Sequence, residues 1–350
     1  MANTRLLDAS ESTEWNRFVA SAQNASPYHR FEWLQAVETV YGHKAYPLVV
    51  EEGGTVLAVL PLILMKTPLA GKASLVSLPF CDLGGILGDE HHRPLLHAKA
   101  IELSTELGAL LLEIRQRERG GLGLDFDRLS AELEGQKVSM LLELEPGSEQ
   151  QLAAFKPKLR SQIKKAIKNG CTTAVGNSPQ LVEDFYYVFS RNMHSLGSPV
   201  HSKQLFHAIC KAYGDNALVS VIYFEGKVAA GGIVLKNGNC AAIPWASSLA
   251  EYNRLAPNML LYWKLISHCA NDGIGVFDFG RSSFGEGTFR FKKQWGAQPY
   301  CLTWENWLGQ CGSLPASQSR ARAMVENAWR RLPLSVVNIL GPLIRKHIRL

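Results

Sequence analysis

The stretch Val276-Phe-Asp-Phe-Gly-Arg-Ser282 attaches group-transfer side chains to an apolar strand. Successive residues of a strand point to opposite faces, so Phe277 and Phe279 share one face and Asp278 takes the other. Gly280 ends the strand, and Arg281 and Ser282 emerge at its C-terminal edge, where a forked guanidinium suits a phosphate or carboxylate. Asp278 either orients Arg281 or serves as a base, and an Asp–Arg pair that merely pins the loop is the plainer alternative. Shortly after comes G-E-G-T-F-R-F-K-K-Q-W-G, with Lys292 and Lys293 side by side. A lysine ammonium stabilises an anionic intermediate. Neighbouring residues of a helix or strand diverge, so at most one of the two serves chemistry, and two solvated lysines bordering an aromatic core are the alternative. Phe289, Phe291 and Trp295 read as packing residues.

Other candidates are weaker. Trp245, in A-I-P-W-A-S, either lines an acceptor slot or is a core tryptophan. Pro244 before it signals a bulged or edge position, because proline cannot donate to a ladder. His194 and His201 flank a loop broken by Gly197 and Pro199; their intrinsic pKa suits a general base, although loop histidines are more often solvated. Asp82 in P-F-C-D-L-G-G is the N-terminal residue most suited to face a cleft. Residues 156 to 170 carry six basic residues and no acid, with Leu159, Ile163 and Ile167 recurring every four positions. That is an amphipathic helix with a basic outer face, which either grips tRNA or an anionic lipid-linked precursor or is a solvated linker.

The elements that must position these residues follow from an internal repeat. An ungapped offset of 172 residues lays Ala36, Val37, Tyr41, Gly42, Val49, Val50, Gly54 and Ala58 on Ala208, Ile209, Tyr213, Gly214, Val221, Ile222, Gly226 and Ala230. Each copy reads as a helix closed by Tyr-Gly, a strand, a tight turn and a second strand. Each continues with a third strand (74 to 79, 239 to 247), a helix (94 to 118, 257 to 271) and a closing strand (LGLDF at 122 to 126, GVFDF at 275 to 279). A period this long marks a duplicated domain rather than a solenoid. The expected architecture is α+β: two domains, 1–150 and 151–310, each a mixed, mostly antiparallel sheet flanked by helices, followed by a tail at 311–350.

The run from Leu255 to Pro299, with SLGSPVHSKQLF, LRSQIKKAIKNG, WRRLPLSVVNILGP and the N-terminal FEWL and LPFCDLGGIL, resembles the FemAB family. The similarity is greatest to its branch associated with PEP-CTERM/exosortase systems and exopolysaccharide loci. This resemblance implies tandem GNAT-like (acyl-CoA N-acyltransferase fold) domains and acyl transfer to an amine. It also implies a co-substrate donor, aminoacyl-tRNA or acyl-CoA, with no metal and no tightly bound cofactor. The acceptor would be a cell-envelope, peptidoglycan or exopolysaccharide precursor. Lys292, in the F-K-K-x-[FW]-G element, is then the residue that meets the donor ester or its phosphate, with Lys293 as the adjacent candidate. Acyl-CoA enzymes bind pyrophosphate at a turn of the form R-x-x-G-x-G/A. Here Arg254-Leu-Ala-Pro-Asn258 keeps the basic residue and loses both glycines, and proline removes one donor. Asn258 is either a ligand or a plain helix-terminus residue. A small-molecule acyl-CoA N-acyltransferase and a non-catalytic glycan- or partner-binding scaffold are the competing classes.

Composition frames these expectations. The chain of 350 residues is 46% hydrophobic and 19% charged, which excludes wholesale disorder. Seven scattered cysteines without a C-x-x-C pair suggest neither a disulfide framework nor a zinc site, and point to a reducing, cytoplasmic setting. The N-terminus lacks a signal-peptide pattern, and no run reaches the ~18 apolar residues of a membrane span. The net charge of +6 belongs to the tail: residues 315 to 350 hold seven basic residues and one acid. Between its basic clusters lie thirteen uncharged residues, Leu332 to Ile344. This tail either lies on the inner face of a membrane or packs back as a closing helix.

Overall fold

The computed structural model describes residues 2–67, 72–117, 135–308 and 319–349. The first half runs β1 (Asn3–Leu6), α1 (Ser12–Ser21), α2 (Phe31–Tyr41), β2 (Lys44–Glu52), β3 (Thr55–Thr67), β4 (Lys72–Val76), β5 (Leu87–Gly88), α3 (Arg93–Glu106) and β6 (Ala109–Arg117). β2, β3 and β4 form an antiparallel meander, and α3 crosses over so that β6 returns parallel to β4. The second half begins with β7 (Lys137–Glu143), α4 (Ser148–Ala154), α5 (Pro157–Lys168), β8 (Cys171–Gly176), α6 (Pro179–Ser195) and α7 (Lys203–Tyr213). It repeats the meander as β9 (Ala217–Phe224), β10 (Lys227–Asn237) and β11 (Cys240–Ser248), crosses through α8 (Pro257–Asn271) and returns as β12 (Val276–Ser283), parallel to β11. Then come α9 (Gly287–Lys293), β13 (Gln298–Leu308), α10 (Ser319–Arg331) and α11 (Leu334–Arg345).

The repeat holds in geometry through the helix and the first hairpin. α2 and α7 occupy equivalent residues, and both hairpins turn on two residues with positive φ, Gly53-Gly54 and Glu225-Gly226, which the twist of a two-residue hairpin demands. The register slips once in each hairpin, opposite Leu57 and opposite Ala229, so even the bulge is duplicated.

The two half-sheets join edge to edge in the order β1-β2-β3-β4-β6-β13-β7-β12-β11-β10-β9-β8, with β5 beside β3. β13 is the seam: Gln298–Cys301 pair with β7, and Leu302–Leu308 pair with β6. β7 itself pairs with β12. One core lies under α3, a second lies under α5, α8 and α9, and a third is shared, where α1, α2, α6 and α7 bring both halves together. At its centre Trp33 stacks on Trp245 with centroids 5.7 Å apart and planes at 10°. Such a pair contributes about 0.5–1.5 kcal/mol beyond its buried area. The tyrosines at the ends of the repeated helices cross-tie it. Tyr41 Oη lies 2.9 Å from His201 Nδ1, and Tyr213 Oη donates to the Pro27 carbonyl at 2.8 Å.

Several expectations need correction. The helix expected over 94 to 118 stops at Glu106, because Leu107 and Gly108 (φ 62°) end it and Ala109–Arg117 is the closing strand. The LGLDF segment lies outside the described residues, as does the tail up to 318. In α5, Leu159 and Ile163 are buried but Ile167 is exposed, and Ala166 takes the inner place. His201 is buried in the shared core rather than solvated.

Candidate active site

β11 and β12 pair over only three residues, Cys240–Ala242 with Val276–Asp278, and have no paired positions beyond. Each strand is bulged there. β11 carries an extra residue at Ile243-Pro244 opposite β10, the place where a residue without an N–H does least harm. β12 carries one at Phe279-Gly280 opposite β7, and Gly280 adopts φ 72°. A parallel pair that opens in this way leaves a wedge in the middle of the sheet.

Polar side chains from four elements converge on its apex. Asp278, 2% exposed, accepts from Ser139 Oγ at 2.8 Å, from the Gly280 N–H at 2.8 Å and from Arg117 Nη1 at 3.1 Å. Lys292, 8% exposed on α9, donates to the carbonyls of Gly280 and Arg281 at 3.0 and 2.8 Å. Those two bonds account for two of the three donors of an ammonium. Burial pushes the Lys292 amine down to about 8, with Arg281 acting in the same direction and Asp278 and Asp82 opposing. Asp82 enters from the first half, accepting the Arg281 N–H at 3.2 Å and facing its Nε at 3.2 Å. Cys240 lies two residues back along β11, at the paired end, and burial with the Asp278 charge raises its thiol to about 12, which keeps it protonated and removes it as a nucleophile. Tyr28, buried close by, is likewise held well above its usual range by burial and by Asp278.

Lys292, Asp278 and Arg281 therefore share one corner; Ser282, the next residue of β12, is buried and its hydroxyl is unpartnered among the described residues. The expected pairing of Asp278 with Arg281 is replaced by two others: Asp278 pairs with Arg117, and Arg281 with Asp82. Of the two lysines only Lys292 points inward. Lys293 is exposed, with its ammonium 6.0 Å from the Phe289 ring centre. Arg254 is exposed and Asn258 half-buried at the start of α8. There Ala256 supplies the left-handed turn (φ 59°), and among the described residues no side chain caps the helix. The end of α5 abuts this point through Asn169 Nδ2 and the Leu255 carbonyl (3.4 Å). Trp245 lies in the shared core against Trp33 and Phe206.

Arg117, Ser139 and Tyr28 were not singled out from the sequence. The signal for Arg117 was present in β6, where Glu113, Arg115 and Arg117 alternate in a strand that is otherwise largely apolar and so share one face. Taking 94 to 118 as helix hid that period. Arg117 also lines a cleft of about 350 Å³ that opens at the other end of β12, beside Val276, Cys240, Asn237, Asn239 and Tyr300 and under the end of α1. Among the described residues, no group of three or more His, Cys, Asp or Glu is placed to hold a metal ion.

The first half has its own version of the wedge. β4 and β6 part after Val76 and Glu113. Arg115, fully buried, contacts Glu113 at 2.6 Å and donates to the Cys81 carbonyl, holding a loop in which Leu78 and Phe80 adopt positive φ. The C-terminal segment closes the space: the Phe80 N–H donates to the Arg349 carbonyl at 2.9 Å, and Arg349 Nη1 meets Glu113 at 3.0 Å. Trp304 of β13 links both wedges, with the guanidiniums of Arg115 and Arg281 at 4.5 and 5.3 Å from its ring.

Residues 153–293 match the family model of the acetyltransferase (GNAT) domain. No curated protein matches the chain in sequence. Among solved structures, the chain is similar to FemX at a TM-score of 0.69 and 14% identity, covering 93% of this chain and 100% of that one. It is similar to L-PGS from Bacillus licheniformis at a TM-score of 0.53 and 12% identity, covering 94% and 99%. A tandem GNAT protein from the clavulanic acid biosynthesis pathway gives 0.51 and 14%, covering 89% and 100%. The second half therefore carries a GNAT acetyltransferase-type domain, in a chain whose fold is that of tandem GNAT proteins.

Proposed function

We propose that the protein transfers an acyl or aminoacyl group to an amine, with the chemistry at the wedge between β11 and β12. The observation that carries this reading is Lys292: a buried cation, aimed at the bulge where the strands open, with its amine depressed to about 8. The donor carbonyl lies in the wedge. The acceptor amine attacks it, and the Lys292 ammonium stabilises the oxygen as it becomes negative, in a site where burial strengthens the interaction. The intermediate then collapses by breaking the donor's thioester or ester bond, and the thiol or ribose hydroxyl leaves with the proton given up by the amine. Asp278, engaged by three donors, holds the Gly280 turn and Arg117 rather than taking the proton. Arg281, fixed by Asp82, holds an anionic group of donor or acceptor.

The donor is phosphate-rich. Lys156, just before α5, and Lys158, Lys164, Lys165 and Lys168 on it are exposed, and the end of α5 meets the start of α8 beside Arg254 and Asn258. This single basic region suits either CoA phosphates or a tRNA backbone. Pro257 at the first helical position withholds one amide, which favours aminoacyl-tRNA. The acceptor enters by the cleft at Arg117. Its wall of Gln23, Asn24, Asn237 and Asn239 suits a polar sugar or peptide, and Asn237 Oδ1 is buried without a partner among the described residues. The resemblance to exosortase-associated FemAB proteins suggests an envelope or exopolysaccharide precursor.

Incubating the purified protein with CoA thioesters or with aminoacyl-tRNA, in the presence of amino-sugar and peptidoglycan-precursor acceptors, tests this by mass spectrometry. An acylated amine from one donor class is expected. Neither transfer nor donor binding from either class would overturn the proposal and leave a binding scaffold.

A further inference from the structure

We propose that the outward face of α11 is a docking surface for an anionic lipid membrane. The helix is apolar on both its inner and its outer side, unlike an ordinary surface helix. Its inner side carries Val337 and Gly341, the latter close against Val200, and its half-buried Arg345 lies 5.6 Å over the Phe80 ring. Its outer side carries Ile339 (69% exposed), Leu343 (56%), Ile344 and Leu340. Surface helices normally present charge to water and hide such a stripe. Charge selects the occupant. Arg330 and Arg331 are exposed at one end of α11 and Lys346 is half-buried at the other. From Asn327 to Arg349 there are five basic residues and no acid. Apolar side chains rimmed by cations match an anionic headgroup layer over acyl chains.

At 12 residues α11 spans about 18 Å, too short to cross a bilayer, so it lies in the interface. The helix is also anchored at its far end. His43 Nε2 meets the Lys346 carbonyl at 2.6 Å, and the Arg349 carbonyl and guanidinium hold Phe80 and Glu113. A membrane under α11 therefore sits at a fixed orientation to the loop that delivers Asp82.

Sedimentation of the full chain with vesicles of phosphatidylcholine plus phosphatidylglycerol, and of phosphatidylcholine alone, tests the proposal. Binding to the anionic vesicles only, falling as salt rises, is expected. The double substitution Ile339→Glu with Leu343→Glu should weaken it by roughly tenfold or more, and Arg330→Glu with Arg331→Glu should weaken it as well. Both pairs are on the surface, and an unchanged thermal melt shows that the fold is kept. Absence of binding to anionic vesicles overturns the proposal, as does equal binding by the double-glutamate variant. Light scattering that finds a dimer, dissolved by the same variant and indifferent to vesicles, assigns the face to a second copy instead. Vesicle binding needs no chemistry, so its failure leaves the acyl-transfer proposal untouched.

Discussion

Both halves end their parallel strand pair on a buried carboxylate, Glu113 in the first and Asp278 in the second, yet the space beyond is used in opposite ways. In the first half a fully buried arginine and the protein's own C-terminal segment fill it. In the second it is left to a lysine and to small, bulged backbone, with the arginine moved out to the rim. The duplication thus produced one wedge closed by the chain itself and one left open, and it is the open one to which the proposed transfer is assigned. The closed wedge positions the open one, because Arg115 holds the loop that delivers Asp82 and shares Trp304 with Arg281.

That division of labour can be broken in four places. Glu113→Ala strands the buried Arg115 guanidinium and should lower stability by about 3–5 kcal/mol, read by denaturant melts. The same change in the open wedge, Asp278→Ala, should cost activity as well as stability. Lys292→Met should reduce acyl transfer by about 10²–10³-fold, while Lys293→Met stays within about twofold; an equal loss in the two would contradict the inward assignment. Because the Lys292 amine sits at about 8, transfer should fall as pH rises above that value, and the Lys292→Met variant should lose that limb. The stability linkage has the opposite sign. The folded amine is depressed below its unfolded value, so between about pH 8 and the ordinary lysine range the unfolded chain binds more protons, and stability contributed by this group rises with pH. Arg349→Ala removes a pair whose arginine is a third exposed and whose carboxylate keeps Arg115, so its effect should be about 1 kcal/mol or less, without change in the open wedge's pH profile.

The duplicated meander was legible because matched glycines and apolar positions survive at a constant offset. The repeat extends further than was read: Ser26-Pro27-Tyr28-His29 and Ser198-Pro199-Val200-His201 obey the same offset, and both histidines are buried. The equivalence of Glu113 and Asp278 was not legible, because the connection between β3 and β4 is longer than that between β10 and β11 and breaks the offset. Asp278, Arg281 and Lys292 came from local pattern and resemblance. Their partners Arg117, Asp82 and Ser139 come from strands and loops distant in sequence, and only the packing of two half-sheets brings them together.

The seam strand β13 has a consequence for the life of the chain on the ribosome. β6 remains an unpaired edge until its partner residues, Leu302–Leu308, have been made. At ordinary rates of synthesis of about 5–20 residues per second, that interval is roughly 10–40 s. During it the nascent N-terminal half exposes a strand rich in leucine, which is a template for association with neighbouring chains. The buried charges Glu113 and Arg115, spaced two apart on that edge, act as its guard: they blunt the apolar edge while it waits and become the support of the closed wedge once β13 arrives.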